Sequence, residues 1–189
     1  LLQGTSERSK KPLPDLVINC LYVMALNCFE FICDYINQPF DYNKVRETVK
    51  DNIKKTYYNA EEGLFFFGDD KTEFTEVGNS LAILSGICNM EEKETICRAI
   101  VSGKLLLGTL SLKTFKYDAL LSVGDKYKDY IIDEIKREYL YMLSQGADCT
   151  WETIEGKKAF GNAGSLCHGW SAIPAYYLIK FGLIKEKEN

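Results

Sequence analysis

The sequence predicts an all-α chain of consecutive antiparallel helical hairpins, the architecture that builds the inner and outer layers of an (α/α) barrel. Three observations carry this. Apolar residues recur at three- and four-residue intervals along most of the 189 residues. Segments apolar nearly all round alternate with segments apolar on one face, as enclosed and covering helices require. Strand signals are few and short. Hydrophobic residues make up 46% of the chain and aromatics 13%, enough for the core of a single domain.

Residues 1–12 are polar, with Gly4 and Pro12, and read as a flexible arm or connector. A first helix is predicted from about Asp15 to Ile36, apolar on all sides through Val17, Leu21, Met24, Cys28, Phe29 and Ile32, and ended before Pro39. A second, from about Tyr42 to Thr56, spaces Val45, Val49 and Ile53 along one face. Gly63 to Gly68 holds a short apolar run, read as a strand or extended loop. Asp69, Asp70, Glu73 and Glu76 form an acidic cluster read as a solvated loop or helix N-terminal charge. A third helix is expected from Asn79 to Ile87. Asn89 with Glu92 forms the capping-box pattern of a fourth, with Ile96, Ala99 and Ile100 as its stripe. Leu105 to Gly108 is a weaker extended run. A fifth helix, Ser111 to Val123, reads as apolar. A sixth, about Lys126 to Ser144, carries Tyr127, Ile131, Ile135 and Tyr139 on one face and Gly146 as its stop. The seventh runs from His168 or Gly169 to Phe181 and ends at Gly182. The odd-numbered helices are expected inside and the even-numbered ones outside.

Lys and Arg number 23 against 27 Asp and Glu, a formal charge of −4, which disfavours nucleic acid as a partner. No continuous apolar run reaches bilayer length and no leader pattern opens the chain, so no membrane association is expected. The seven cysteines lack tight zinc spacing, and one histidine cannot complete a two-histidine site; no metal or other cofactor is expected. Reduced thiols are the default reading, with a cytoplasmic location. Cys167 adjoins His168, but no neighbouring acid reads as orienting such a pair for nucleophilic chemistry.

The chemistry concentrates late in the chain. Thr150-Trp151-Glu152 is followed by Ser165-Leu166-Cys167-His168-Gly169-Trp170-Ser171, placing an acid, the only histidine and both tryptophans in one linker. Aromatic faces stack on sugar rings and polar groups fix hydroxyls, so a sugar site fits. Two core tryptophans and a satisfied core histidine fit the same residue types equally well.

The order of these residues resembles the C-terminal part of the six-hairpin (α/α) catalytic domain of bacterial α-L-rhamnosidases. That family carries Gly-Ala-Thr-Thr-x-Trp-Glu before Ser-x-Cys-His-x-Trp-Ser. Here Gly146 to Glu152 matches the first run except at Asp148 and Cys149, and Ser165 to Ser171 matches the second throughout. Asn79-Ser80-Leu81-Ala82 resembles an Asn-Ala-Leu-Ala helix start, and Tyr117-Asp118-Ala119-Leu120 a Tyr-x-Ala-Leu run. Val77 departs from the polar residue expected two positions before Asn79. The resemblance runs from about Leu13 to Gly182. It implies about seven helices of an (α/α)6 toroid, with residues 13–189 as the C-terminal part of a glycosidase domain. It also implies inverting hydrolysis of a terminal sugar, with Glu152 as catalytic base, and with Trp151, His168 and Trp170 binding the substrate. The family's general acid comes from an acidic loop with Arg and Trp in the N-terminal half; Thr5-Ser6-Glu7-Arg8 lacks the Gly-Trp that should follow, so no acid is assigned. The isolated chain is therefore expected to be inactive. Open apolar flanks of a partial ring would make it a homodimer. The alternatives are a non-catalytic carbohydrate-binding remnant and a helical-hairpin scaffold that binds protein.

Overall fold

The computed structural model describes residues 15–68 and 71–184. The arm over residues 1–12, the Thr5-Ser6-Glu7-Arg8 run, and Asp69 and Asp70 of the acidic cluster lie outside the described residues. Among the described residues seven helices have seven or more residues: α1 Leu16–Tyr35, α2 Asn43–Tyr57, α3 Glu76–Leu84, α4 Met90–Val101, α5 Lys113–Leu121, α6 Lys128–Ser144 and α7 Pro174–Lys180. A two-stranded antiparallel ribbon, β1 Tyr58–Asn59 and β2 Leu64–Phe65, is the sheet they contain. The fold is all-α, as predicted. The chain divides into two compact units, one up to Ile96 and one from Cys97.

In the first unit, Asp15 caps α1 by accepting from the Ile18 N–H at 2.9 Å. Arg46, in the first turn of α2, reaches back to Glu30 and, at 3.1 Å, to Asn27, so α2 folds back along α1. The Arg46 hydrogen bond holds the Glu30 carboxyl below its ordinary range. The β1–β2 turn is buttressed from α3. The Asn79 side chain accepts from the Phe65 N–H and donates to the Phe65 carbonyl, both at 2.9 Å, imitating a neighbouring strand. Asn79 therefore lies inside α3 and does not start it; Thr75 is the cap, accepting from the Gly78 N–H. Every residue of α3 from Glu76 to Ile83 is buried, whereas α2 buries Ile53 and Tyr57, which is the expected alternation of enclosed and one-faced helices. Glu76 is therefore the buried acid of a helical first turn and no part of a solvated loop. Val77 belongs to the core. The predicted capping box is present: Asn89 and Glu92 exchange two hydrogen bonds of 2.9 Å, and Glu92 also pairs with Lys54 at 2.8 Å.

Two expectations for α1 are corrected. It was read as enclosed, yet Ile18, Tyr22, Phe31, Ile32 and Tyr35 are exposed, Phe31 by 72% and Tyr35 by 81%. Its 20 residues are also long and apolar enough to cross a membrane by length and composition. Asn19, Asn27 and Glu30 interrupt its apolar run. The Glu30–Arg46 pair and the burial of Leu16, Val17, Cys20, Val23, Leu26 and Cys33 make it a packed helix of this unit.

In the second unit, α5 is less apolar than its pattern suggested. Lys113 and Lys116 are 4% and 2% exposed. They meet Glu134 and Glu138, one turn apart on α6: Lys116 Nζ donates to Glu134 Oε1 at 2.8 Å, Lys113 lies 3.4 Å from the same oxygen, and Lys113 also pairs with Glu138. Burial works to raise the Glu134 pKa, but the two lysines prevail and hold it below the ordinary carboxylate range. At Glu138 burial outweighs the pull of Lys113 and raises the pKa. Helix α6 ends in a Schellman motif, the Gly146 N–H donating to Leu143 and that of Ala147 to Met142. The last helix is shorter than predicted. Pro174, which has no N–H to continue a helix begun upstream, starts α7, and Gly169–Ser171 forms a separate 3₁₀ turn. Tyr177 fixes α7 on α5: its hydroxyl lies 3.0 Å from the Thr114 carbonyl and 2.9 Å from Asp118, and its ring meets Tyr117 edge-on.

Candidate functional site

All four residues singled out from the sequence, Trp151, Glu152, His168 and Trp170, lie in the second unit, and backbone pairing explains why. The segment from Thr150 to Glu152 runs antiparallel to that from Ser165 to His168. The His168 N–H donates to the Thr150 carbonyl at 2.7 Å, and the Thr150 hydroxyl donates to the His168 carbonyl at 2.8 Å. Two residues along, the Glu152 N–H donates to the Ser165 carbonyl at 3.0 Å. Three steps on one segment thus face two on the other, a bulge-like arrangement. The Ser165 hydroxyl takes up the slack, donating to the Cys167 carbonyl at 3.0 Å and accepting from the Cys167 N–H at 3.3 Å.

Glu152 is held at three points. Its N–H is bound to Ser165, its carbonyl accepts from the Leu110 N–H at 3.3 Å, and its Oε2 accepts from the Ser165 N–H at 3.2 Å. Oε1 makes no hydrogen bond among the described residues. The carboxylate is half-buried, so one oxygen is fixed and the other is open to a ligand.

The loop between the paired segments turns on glycines. A side chain at Gly156, whose φ is +58°, would come within 2.8 Å of the Trp151 ring, and one at Gly164 within 2.0 Å of the Gly156 carbonyl. This close approach seats the half-buried Trp151 against Gly156, with Leu166 also beside that glycine. Beyond His168, the 3₁₀ turn is tied down through the Ser171 carbonyl, which accepts from the Tyr139 hydroxyl on α6. Ser171 is fully buried, but Trp170 beside it is 80% exposed, its ring edge-on to the half-buried His168 at 6.0 Å between centroids. Trp170 is no core anchor, and its apolar face stands free.

The structure thus brings Glu152 and His168 onto paired segments, seats Trp151 against Gly156, and leaves Trp170 exposed beside His168. Thr150, Ser165, Gly156 and Gly164, which make the pairing possible, were not singled out from the sequence; the glycines between the two motifs were the available signal. Val77 lies in the core, so the polar contact its position supplies in the family pattern has no counterpart here.

Residues 3–181 match the model of the bacterial alpha-L-rhamnosidase six-hairpin glycosidase domain. Among solved structures, a GH78 family rhamnosidase of Bacillus sp. GL1 is similar at 21% identity and a TM-score of 0.75, over 87% of this chain and 19% of that one. A rhamnosidase from Klebsiella oxytoca with rhamnose bound is similar at 19% identity and a TM-score of 0.69, over 88% of this chain and 34% of that one. The chain therefore spans about a third of one relative and about a fifth of the other, and at such identities the likeness is one of fold. No curated protein matches significantly.

Proposed function

Because the chain belongs to the bacterial α-L-rhamnosidase six-hairpin glycosidase family, we propose that it carries the general-base side of a glycoside hydrolase site that releases a terminal sugar with inversion. One observation carries this reading: the Glu152 carboxylate is fixed through one oxygen by the Ser165 N–H, with the other oxygen open. An inverting site needs two carboxyl groups about 6.5–9.5 Å apart with a water between them. Glu152 takes the proton of that water as its oxygen attacks the anomeric carbon, while a carboxylic acid protonates the leaving oxygen. We assign the base alone. The open face of Trp170 suits stacking on a sugar ring, His168 suits a hydrogen bond to a hydroxyl, and the half-buried Trp151 adds a second aromatic to the substrate side. The rhamnose bound to the Klebsiella enzyme supports a carbohydrate substrate. We place the protein in the cytoplasm, the default setting for reduced thiols, and the exposed apolar face of α1 supports a homodimer of the isolated chain.

The test is Glu152→Gln in the full-length enzyme that contains this domain. General-base catalysis contributes about 10²–10⁴ in rate, so kcat on aryl glycosides should fall at least about a hundredfold with the melting temperature unchanged. Near-normal turnover, with Glu155 or Asp148 essential instead, moves the base. Absence of sugar binding and turnover in every form favours the protein-binding scaffold.

A further inference from the structure

Two thiols meet on the outer side of the paired segments. Cys149 precedes Thr150 and Cys167 precedes His168, and Thr150 and His168 bond each other in both directions at 2.7 and 2.8 Å. In an antiparallel pair, the residues preceding two partners project from the same face as diagonal neighbours. The pairing thus places the two side chains on one face beside each other. Both cysteines are exposed and unbridged. The others differ. Cys20, Cys33, Cys88 and Cys97 are buried, and burial pushes the Cys20 and Cys88 thiols up to about 12, away from the reactive thiolate. Cys28 is exposed but lies in the other unit, on α1. Cys149 also stands where the family's first run carries threonine, so the pair belongs to this chain's departure from that pattern.

We propose that Cys149 and Cys167 are a redox-active dithiol that closes to a reversible disulfide by exchange with a low-molecular-weight disulfide. The Cys167 thiolate attacks one sulfur of the small disulfide, breaking its S–S bond and expelling a small thiolate. Cys149, after giving its proton to solvent, attacks the Cys167 sulfur of the mixed disulfide and expels the second small thiolate. Two protein S–H bonds are lost and one S–S bond forms. The small disulfide, as oxidant, takes up two electrons, and its two thiolates take up the two protons released. The order follows from the neighbourhood: Cys167, with Asp148 adding to it, raises the Cys149 pKa and favours its protonated thiol.

Closure has a mechanical consequence. A disulfide holds its two Cα atoms about 4.4–6.8 Å apart, so forming the bond pins the 165–168 segment against the 149–150 backbone. That segment carries His168 and the Ser165 N–H that fixes Glu152. Its effect on sugar hydrolysis rests on the reading of the site above; the bond itself does not.

The test equilibrates the full chain in buffers of reduced and oxidised glutathione, quenches with iodoacetamide, and maps the peptides by mass. The expected product is a Cys149–Cys167 cross-linked peptide, with the chain lighter by two hydrogen atoms and restored by dithiothreitol. Cys149→Thr and Cys167→Ser should each lose the cross-link and retain a glutathione adduct on the remaining thiol, while Cys28→Ser leaves the cross-link unchanged. Far-UV circular dichroism checks that each variant is folded. Separate glutathione adducts on Cys149 and Cys167 without a cross-link, or no reaction at either, overturn the proposal. In the full-length enzyme, oxidation should lower glycoside turnover and Cys149→Thr should abolish that sensitivity. A cross-link that forms without changing turnover overturns the connection to the site, whereas failure of the site itself is read from Glu152→Gln.

Discussion

Trp170 shows how one residue changes meaning once it is placed. From its type it reads equally as a core anchor or a sugar platform, and truncating a buried aromatic would cost roughly 3–5 kcal/mol. At 80% exposure it has little packing to lose. Trp170→Ala should therefore weaken sugar binding, read as a raised KM or dissociation constant in the full-length enzyme, with the melting temperature unchanged. A clear drop in melting temperature would return Trp170 to the core. Asn79 makes the opposite case. It resembled a helix start but is a buried bridge to both backbone groups of Phe65. Leaving a buried donor or acceptor unsatisfied costs about 1–3 kcal/mol, so Asn79→Leu should destabilise the chain by at least that amount in urea unfolding. An exposed or tolerant position there would contradict the bridging role. The residue types and order around Glu152 and His168 were legible in the sequence. The hydrogen bonds that join them were not, because Thr150 and Ser165 look like ordinary loop residues until the segments pair.

Between elements, the α5–α6 contact departs furthest from the helical pattern. The pattern reads α5 as apolar, whereas its Lys113 and Lys116 are buried and paired with Glu134 and Glu138. Glu134 has a depressed pKa in the folded chain. Its stabilising share is therefore full above the unfolded value of about 4.3 and is lost as pH falls through the lower folded value. Glu134→Gln removes that share and leaves lysine charge undercompensated, and breaking a buried pair costs about 3–5 kcal/mol. The variant should melt well below the parent at neutral pH, and the two should converge as the parent's Glu134 is protonated at acid pH. A gap that stays constant with pH would show that this ionisation is not what stabilises the contact. Local rules worked where the information is local: the Asn89–Glu92 box, Gly146 and Gly182 were readable as termini. They failed where a distant partner decides, as at the buried lysines, and where Pro174 cut the final helix short.

At the scale of the molecule, the chain is an all-α member of the six-hairpin glycosidase domain family, and the exposed face of α1 bears on its assembly. Ile18, Tyr22, Phe31, Ile32 and Tyr35 present an apolar face to solvent. Burying apolar surface gains about 25 cal/mol per Å², so this face favours association. The isolated chain should sediment as a dimer at high concentration, and Phe31→Glu with Tyr35→Glu should shift it to monomer while the helical circular dichroism is retained. A strictly monomeric parent chain would sink the expectation. The sequence marked α1 as apolar all round, but periodicity cannot say what lies opposite each face, and here one side is uncovered.

The glycine-closed loop between the paired segments has a consequence for how this region can vary among relatives. Each doubling of loop length costs only about 0.6 kcal/mol in closure entropy, so insertions within residues 157–163 are cheap. Gly156 and Gly164 have no such latitude, because a side chain at either strikes Trp151 or the opposite backbone. Length there is a free variable for evolution and for engineers wishing to reshape the approach to the carboxylate, provided the two hinge glycines stay.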